Sequence, residues 1–304
     1  MKNIYKCFAL FFFVLALSHI YGCKSTEKNT FSPSSLSSEI TLAQHHGFKL
    51  AYLQTDKFEL TSLTNNKFNP QASDKVKKLV IYIEGDGRSW INKRTLSKNP
   101  TPPYALGLRL AIQDPRNNSA DTAVAYLARP CQFTRQTPTP NTCEAKYWSS
   151  HRFSPEVIEN MNQAIDRIKA NANINKIELI GYSGGAAIAL LLAAHRDDVE
   201  MIRTIAGDVN HDMMSVYHHT TPLPDSLNPA NFIDKLKNIK QIHYIGKQDK
   251  IVPNYITEHF VQTCADASAD ASAENKNNRQ QIVCCNATHQ KGWEKKWGEL
   301  LRED

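Results

Sequence analysis

Lys176-Ile-Glu-Leu-Ile-Gly-Tyr-Ser-Gly-Gly-Ala-Ala-Ile-Ala-Leu-Leu-Leu-Ala-Ala-His195 decides the fold of this chain. Lys176 to Ile180 is a short apolar run with the length of a buried strand, and Ala186 to His195 is an apolar run with the length of a buried helix. Gly181-Tyr182-Ser183-Gly184-Gly185 joins them, so a G-x-S-x-G turn falls between strand and helix. A turn that tight strains the serine backbone. Side chains two residues to either side would collide, and Gly181 and Gly185 remove the collision. The Ser183 hydroxyl is then lifted off the sheet at the positive end of the following helix, where developing negative charge is favoured. Ser183 is a candidate nucleophile.

Strand and helix signals alternate along the rest of the chain. Phe48 to Tyr52 and Phe58 to Leu60 alternate apolar with polar, as a half-exposed hairpin does. Leu79 to Ile83 and Thr122 to Leu127 read as buried strands, with a helix from Tyr104 to Ile112 stopped by Asp114-Pro115. Ser154-Pro155-Glu156 supplies an N-cap, a proline at the first helical position and an early acid. Strands follow at Met201–Ala206, Ile242–Ile245 and Ile282–Val283, and an amphipathic helix from Trp293 to Leu301 closes the chain. This alternation predicts an α/β protein whose mostly parallel sheet is covered on both faces.

The chain resembles the α/β-hydrolase fold, with its three layers, over residues 45–304. The resemblance rests on the G-x-S-x-G turn and three further features. That fold takes its triad in the order Ser, acid, His. Gly246-Lys-Gln-Asp249-Lys-Ile-Val-Pro253 follows a strand and resembles the family's acid loop, so Asp249 is the expected acid; Asp208, after the preceding strand, is the alternative. Beyond Asp249 stand only His259, inside a helix-like stretch, and His289, in a short loop after the last strand where the fold places its general base. Glu84-Gly-Asp86-Gly-Arg88 is similar to the family's H-G-x turn, with Glu84 in place of the histidine. The resemblance implies an oxyanion hole from the backbone N–H groups of Asp86 and Gly184. The Asp86 side chain then either turns away, pairing with Arg88 or capping its own loop, or recognises a cationic group on the substrate.

These residues imply a serine hydrolase cleaving a carboxylic ester through an acyl-enzyme, with Ser183, Asp249 and His289 as catalytic residues and with no metal or organic cofactor. The alternatives are a peptidase or thioesterase on the same fold, or a non-catalytic envelope lipoprotein that binds a ligand. Cys131 to Cys143 and His211 to Asn228 are segments able to shape a lid over the site; the repeated Ala-Asp-Ala-Ser units of Ala265 to Ala273 read as a solvated excursion.

Residues 1–22 read as a signal peptide: Lys2 and Lys6 precede an apolar stretch too short for a stop-transfer helix. Ile20-Tyr-Gly-Cys23 resembles the lipobox of bacterial lipoproteins, which implies cleavage before Cys23, a lipid on that cysteine and a place in the cell envelope, with Lys24 leaning towards an outer membrane. Residues 23–44, rich in Ser, Thr and Asn, read as a flexible tether. The net charge of +6, falling to +4 without Lys2 and Lys6, is mild, and no basic block is interleaved with aromatics, so no nucleic-acid partner is expected. The expected partners are a small ester or acyl substrate and, through the lipid, a membrane. Cys131 and Cys143 bracket a Pro/Thr-rich loop that a local disulfide can hold, and Cys264 with Cys284 or Cys285 brackets another irregular stretch. With five such cysteines, one thiol is left over or Cys284 and Cys285 pair with each other. The histidines do not cluster at ligand spacing, so no metal site is expected.

Overall fold

β-Branched and aromatic residues crowd the runs that become strands: in the computed structural model, eight of them form one sheet. The structure describes residues 33–65, 76–92, 94–135, 142–170, 174–268 and 279–302. In chain order the elements begin with α1 (Pro33–His45), β1 (Phe48–Gln54), β2 (Glu59–Asn65) and β3 (Lys78–Ile83). The small hairpin β4 (Trp90–Asn92) and β5 (Thr95–Leu96) follows, then α2 (Leu106–Gln113), β6 (Thr122–Leu127), α3 (Pro155–Lys169), β7 (Lys176–Tyr182), α4 (Gly184–Ala193) and β8 (Val199–Ile205). The chain ends with α5 (His211–His218), α6 (Ile233–Leu236), β9 (Lys240–Gly246), α7 (Asn254–Ala267), β10 (Gln280–Cys285) and α8 (Glu294–Leu300).

The sheet runs β1-β2-β6-β3-β7-β8-β9-β10. β1 and β2 form an antiparallel hairpin, β2 is antiparallel to β6, and every pairing from β6 to β10 is parallel. Because the parallel strands share a direction, the loops at their C-terminal ends gather along one edge, where open α/β sheets place their ligands. One apolar core, built from α3, α4 and α7, covers one face, and a second, built from α1, α2 and α8, covers the other. The three-layer, mostly parallel arrangement expected from the sequence is the one the chain adopts. Ser154 caps α3 as read, its side chain accepting from the Val157 N–H.

The domain begins earlier than residue 45. α1 belongs to it: Ile40 and Ala43, three residues apart on one helical face, are buried, and the buried Glu39 carboxylate accepts from Arg109 at 2.6 and 3.0 Å. The Ser/Thr-rich composition that suggested a tether hides this spacing. Cys23 and the signal segment lie outside the described residues, as do residues 269–273 of the Ala-Asp-Ala-Ser stretch; its first residues, 265–267, are the last turn of α7. Cys131 and Cys143 form a disulfide. Cys264 and Cys284 are free thiols, so neither expected C-terminal pairing is present: Cys264 faces the core from α7 while Cys284 points to solvent. Among the described residues no helix is long and apolar enough to cross a membrane.

Candidate active site

Ser183 follows β7 directly, at the N-cap of α4, with φ +52° and ψ −123°. That strained backbone is possible because its neighbours lack side chains. A Cβ on Gly181 would lie 2.3 Å from the Gly185 carbonyl oxygen, and one on Gly185 would lie 2.4 Å from the Ile83 oxygen. The Ser183 N–H donates to Ile205 O, and its own carbonyl accepts from the Asp208 N–H, so β8 holds the turn from the other side.

Asp249 ends the β9 loop and His289 the β10 loop. His289 Nδ1 lies 2.9 Å from Asp249 Oδ2, and Nε2 lies 3.0 Å from Ser183 Oγ. A carboxylate accepts only, so Nδ1 carries the proton and Nε2 is left to accept from the Ser183 hydroxyl. The other Asp249 oxygen accepts from the Ile251 and Val252 N–H groups at 2.8 and 3.0 Å, which fixes the carboxylate plane. The Tyr182 ring, 5.4 Å away, packs on the imidazole, and the Trp293 indole N–H donates to the His289 carbonyl. An open groove lined by Gln248, Ile251, Thr288 and His289 lies on this side. His259 is exposed on α7, away from the chemistry.

Asp208 does not meet His289. It is buried near Asp86, Arg129 and Arg152. Burial pushes its carboxyl up to about 7, with Arg152 pulling the other way, and its Oδ1 has no hydrogen-bond partner among the described residues. Glu84 is buried beneath the site. Its carboxylate accepts from the N–H groups of Gly85, Gly107 and Leu108, so it caps the start of α2, and burial raises it to about 7 against those bonds.

Asp86 pairs with neither Arg88 nor its own loop. Its Oδ1 lies 3.0 Å from Arg129 Nη1 and its Oδ2 lies 3.2 Å from Arg152 Nε. A Cβ on Gly184 would sit 2.0 Å from Asp86 Oδ1, so this carboxylate is seated directly on the residue after Ser183. The N–H groups of Asp86 and Gly184 have no acceptor among the described residues. Sequence reading missed Arg129 and Arg152. The signal for Arg129 was its position, two residues beyond the buried strand β6 on the ligand-binding edge of the sheet. Gln132, also missed, donates to Gly85 O and steadies the turn that carries Asp86. In the segment after Asp208, α5 is capped by Asn210; its His211 stacks on Phe153 at 5.9 Å, and His218 bonds the Ile251 carbonyl of the acid loop.

The profile of the family described as Serine hydrolase (FSH1) matches residues 100–274, more than half of the chain. The chain belongs to that family. The matched segment contains Ser183, Asp208 and Asp249 and ends before β10 and His289. Among solved structures, the chain is similar to the Pyrococcus furiosus esterase Pf2001 at 12% identity and a TM-score of 0.55, with 84% of this chain and 90% of that one covered. Est1E from Butyrivibrio proteoclasticus matches at 15% identity and a TM-score of 0.53, covering 84% and 96%. The Pyrococcus horikoshii acylaminoacyl peptidase matches at 11% identity and a TM-score of 0.56, covering 86% of this chain and 42% of that one. These likenesses establish the α/β-hydrolase fold. No curated protein matches the chain significantly.

Proposed function

We propose that this hydrolase cleaves a carboxylic ester through a covalent acyl-enzyme formed on Ser183. The observation that carries the reading is the unbroken run of short contacts from Ser183 Oγ through both His289 nitrogens to Asp249. His289 Nε2 takes the hydroxyl proton as Ser183 Oγ attacks the ester carbonyl, and Asp249 stabilises the imidazolium that results. The oxyanion is received by the N–H groups of Asp86 and Gly184, each donor worth about 10²–10³ in rate. His289 then gives its proton to the departing alcohol, and a water activated by the same nitrogen releases the acid and restores Ser183. Names among the structural neighbours favour an ester, and a peptidase among them makes amide cleavage the rival.

A fluorophosphonate probe should label the purified protein at Ser183 alone, and Ser183→Ala should abolish both labelling and turnover of short-chain nitrophenyl esters. An unlabelled, folded wild type would instead point to a ligand-binding lipoprotein. Faster turnover of aminoacyl anilides than of esters would favour the peptidase. Export and lipidation at Cys23 belong to the same proposal: Cys23→Ser should move the protein from the membrane fraction to the soluble one, and continued membrane association counts against the lipid.

A further inference from the structure

Four charged side chains meet beside the nucleophile and are not used by the triad. Asp86 sits on Gly184, Arg129 and Arg152 flank Asp86, and Asp208 is buried close to all three. Arg129 is held from behind: one guanidinium nitrogen bonds the Arg152 carbonyl, and the Phe153 ring lies 5.2 Å away. The same ring faces the Arg152 guanidinium at 5.0 Å. The group carries unmet hydrogen-bonding capacity. Among the described residues, Arg129 Nε and Asp208 Oδ1 are buried without a hydrogen-bond partner. Buried polar atoms are rarely left so unless a ligand or ordered water completes them. Two guanidiniums face one ionised carboxylate, and Asp208, raised to about 7, is largely protonated below neutrality, so the cluster then has positive charge to spare. Its accessible edge is the Arg152 side chain, 20% exposed, next to Asp86 at 31%.

The cluster also lies on a definite side of the scissile bond. His289 packs among Tyr182 and Trp293 of the core that covers the α2 and α8 face, whereas Phe153, which supports both arginines, belongs to the core of the α3 and α4 face. The leaving alcohol must lie towards His289, which protonates it, and towards the open groove there. An acyl chain leaving the carbonyl on the side away from His289 would run towards Asp86 and Arg152.

We infer that Arg152, backed by Arg129 and Asp86, is an anion-recognising subsite for the acyl chain, so that the substrate is an ester whose acid portion ends in a carboxylate. The inference rests on Ser183 being the nucleophile. Arg152 is the residue that sets specificity, presenting donors to the terminal carboxylate in the charge-assisted geometry that makes such pairs strong. Asp86 holds both guanidiniums in place, and so it does not serve as a site for an amine.

The test compares monomethyl glutarate and monomethyl adipate with methyl pentanoate and methyl hexanoate, by methanol release, in the wild type and in Arg152→Gln. The expected wild-type result is at least a tenfold higher kcat/KM for the carboxylate-ended esters. In Arg152→Gln the ratio between the two kinds of ester should fall close to one, and any general loss of activity divides out of that ratio. A wild-type ratio near one, a ratio unchanged by Arg152→Gln, or a preference for methyl 6-aminohexanoate overturns the inference. Calorimetry with glutarate and pentanoate on the same proteins reads the subsite without turnover. Glutarate binding that Arg152→Gln removes supports it even if Ser183 proves unreactive, and equal binding of the two acids overturns it even if Ser183 is labelled.

Discussion

Replacing Asp249 by asparagine separates the role of its charge from its shape. One carboxylate oxygen accepts from two backbone N–H groups, Ile251 and Val252, and the other from His289 Nδ1. An asparagine must choose. With its oxygen towards the two N–H groups, its NH₂ faces His289 Nδ1 and donates to it. The imidazole then carries its proton on Nε2, pointing at Ser183 Oγ, where it cannot act as a base. With the amide flipped, His289 keeps the useful tautomer, but the part-buried Val252 N–H then faces an NH₂ group, at a cost of about 1–3 kcal/mol, and the more exposed Ile251 N–H does so at a smaller one. The unproductive arrangement is thus favoured by at least about 1–3 kcal/mol, and the charge that steadied the imidazolium is lost as well. The expected result is a fall in kcat of about 10³–10⁴, with KM nearly unchanged because Asp249 lies behind the histidine. The assay is nitrophenyl ester turnover beside the rate of fluorophosphonate labelling, which should fall in parallel. A folded Asp249→Asn protein that loses less than tenfold would refute the reasoning.

Other perturbations reach different parts of the structure. Asp208→Asn should leave turnover within about tenfold of wild type, since the group does not touch His289. It should also raise Tm more at pH 8 than at pH 5: a carboxyl whose folded value is near 7 contributes stability present below its unfolded value of 3.8 and lost as pH rises through 7, at most about 4 kcal/mol. Glu178→Gln should cost about 3–5 kcal/mol near pH 7, read by denaturant unfolding, because Arg203 loses the Glu178 carboxylate and Arg116 is left with Asp114 alone of its two buried carboxylates. Burial pushes Glu178 up, but Arg116, Arg203 and Lys78 outweigh that and hold it at about 2, so the difference from wild type should fade as pH drops from 4.5 towards 2. Gly181→Ala should abolish Ser183 labelling and lower Tm, because its Cβ meets backbone, the Gly185 oxygen at 2.3 Å and Ala186 Cα at 2.5 Å, which cannot swing aside as a side chain could. A labelled and stable Gly181→Ala protein would contradict the steric account of the turn.

What could be read from the sequence follows from the range of the interaction concerned. β7 and α4 were legible because apolar period, length and the intervening glycines all act within twenty residues. The loop bearing Asp249 was legible because it directly follows a strand whose own pattern is strong, whereas His289 was legible through the chain order of the fold, since only Ile282–Val283 of β10 stood out. α1 was not: what makes it part of the domain is Glu39 meeting Arg109, seventy residues on, and burial of Ile40 and Ala43 against elements that composition does not reveal. Glu84 looked anomalous in the turn after β3 because its partners, the N–H groups at the start of α2, lie more than twenty residues away. Arg152 was invisible for the same reason: beside Ser154 and Pro155 it reads as part of a helix lead-in, and only the folded chain carries it to Asp86.

The position of Asp86 poses an electrostatic problem whose solution ties the fold to the chemistry. A carboxylate seated on Gly184, at the N-terminal end of α4, would compete with the oxyanion proposed to form at the same N–H groups. Two unit charges about 4 Å apart repel by roughly 4 kcal/mol at an effective dielectric of 20, enough to slow acyl transfer by about a thousandfold. Arg129 and Arg152 reverse that sign, since each lies within 3.2 Å of the carboxylate. The Cys131–Cys143 disulfide and Gln132 anchor the loop that delivers Arg129, and Gln132 also grips the turn that delivers Asp86. The proposed oxyanion site and the proposed acyl subsite are therefore one charged unit, in which moving any member changes the field at the reacting carbonyl.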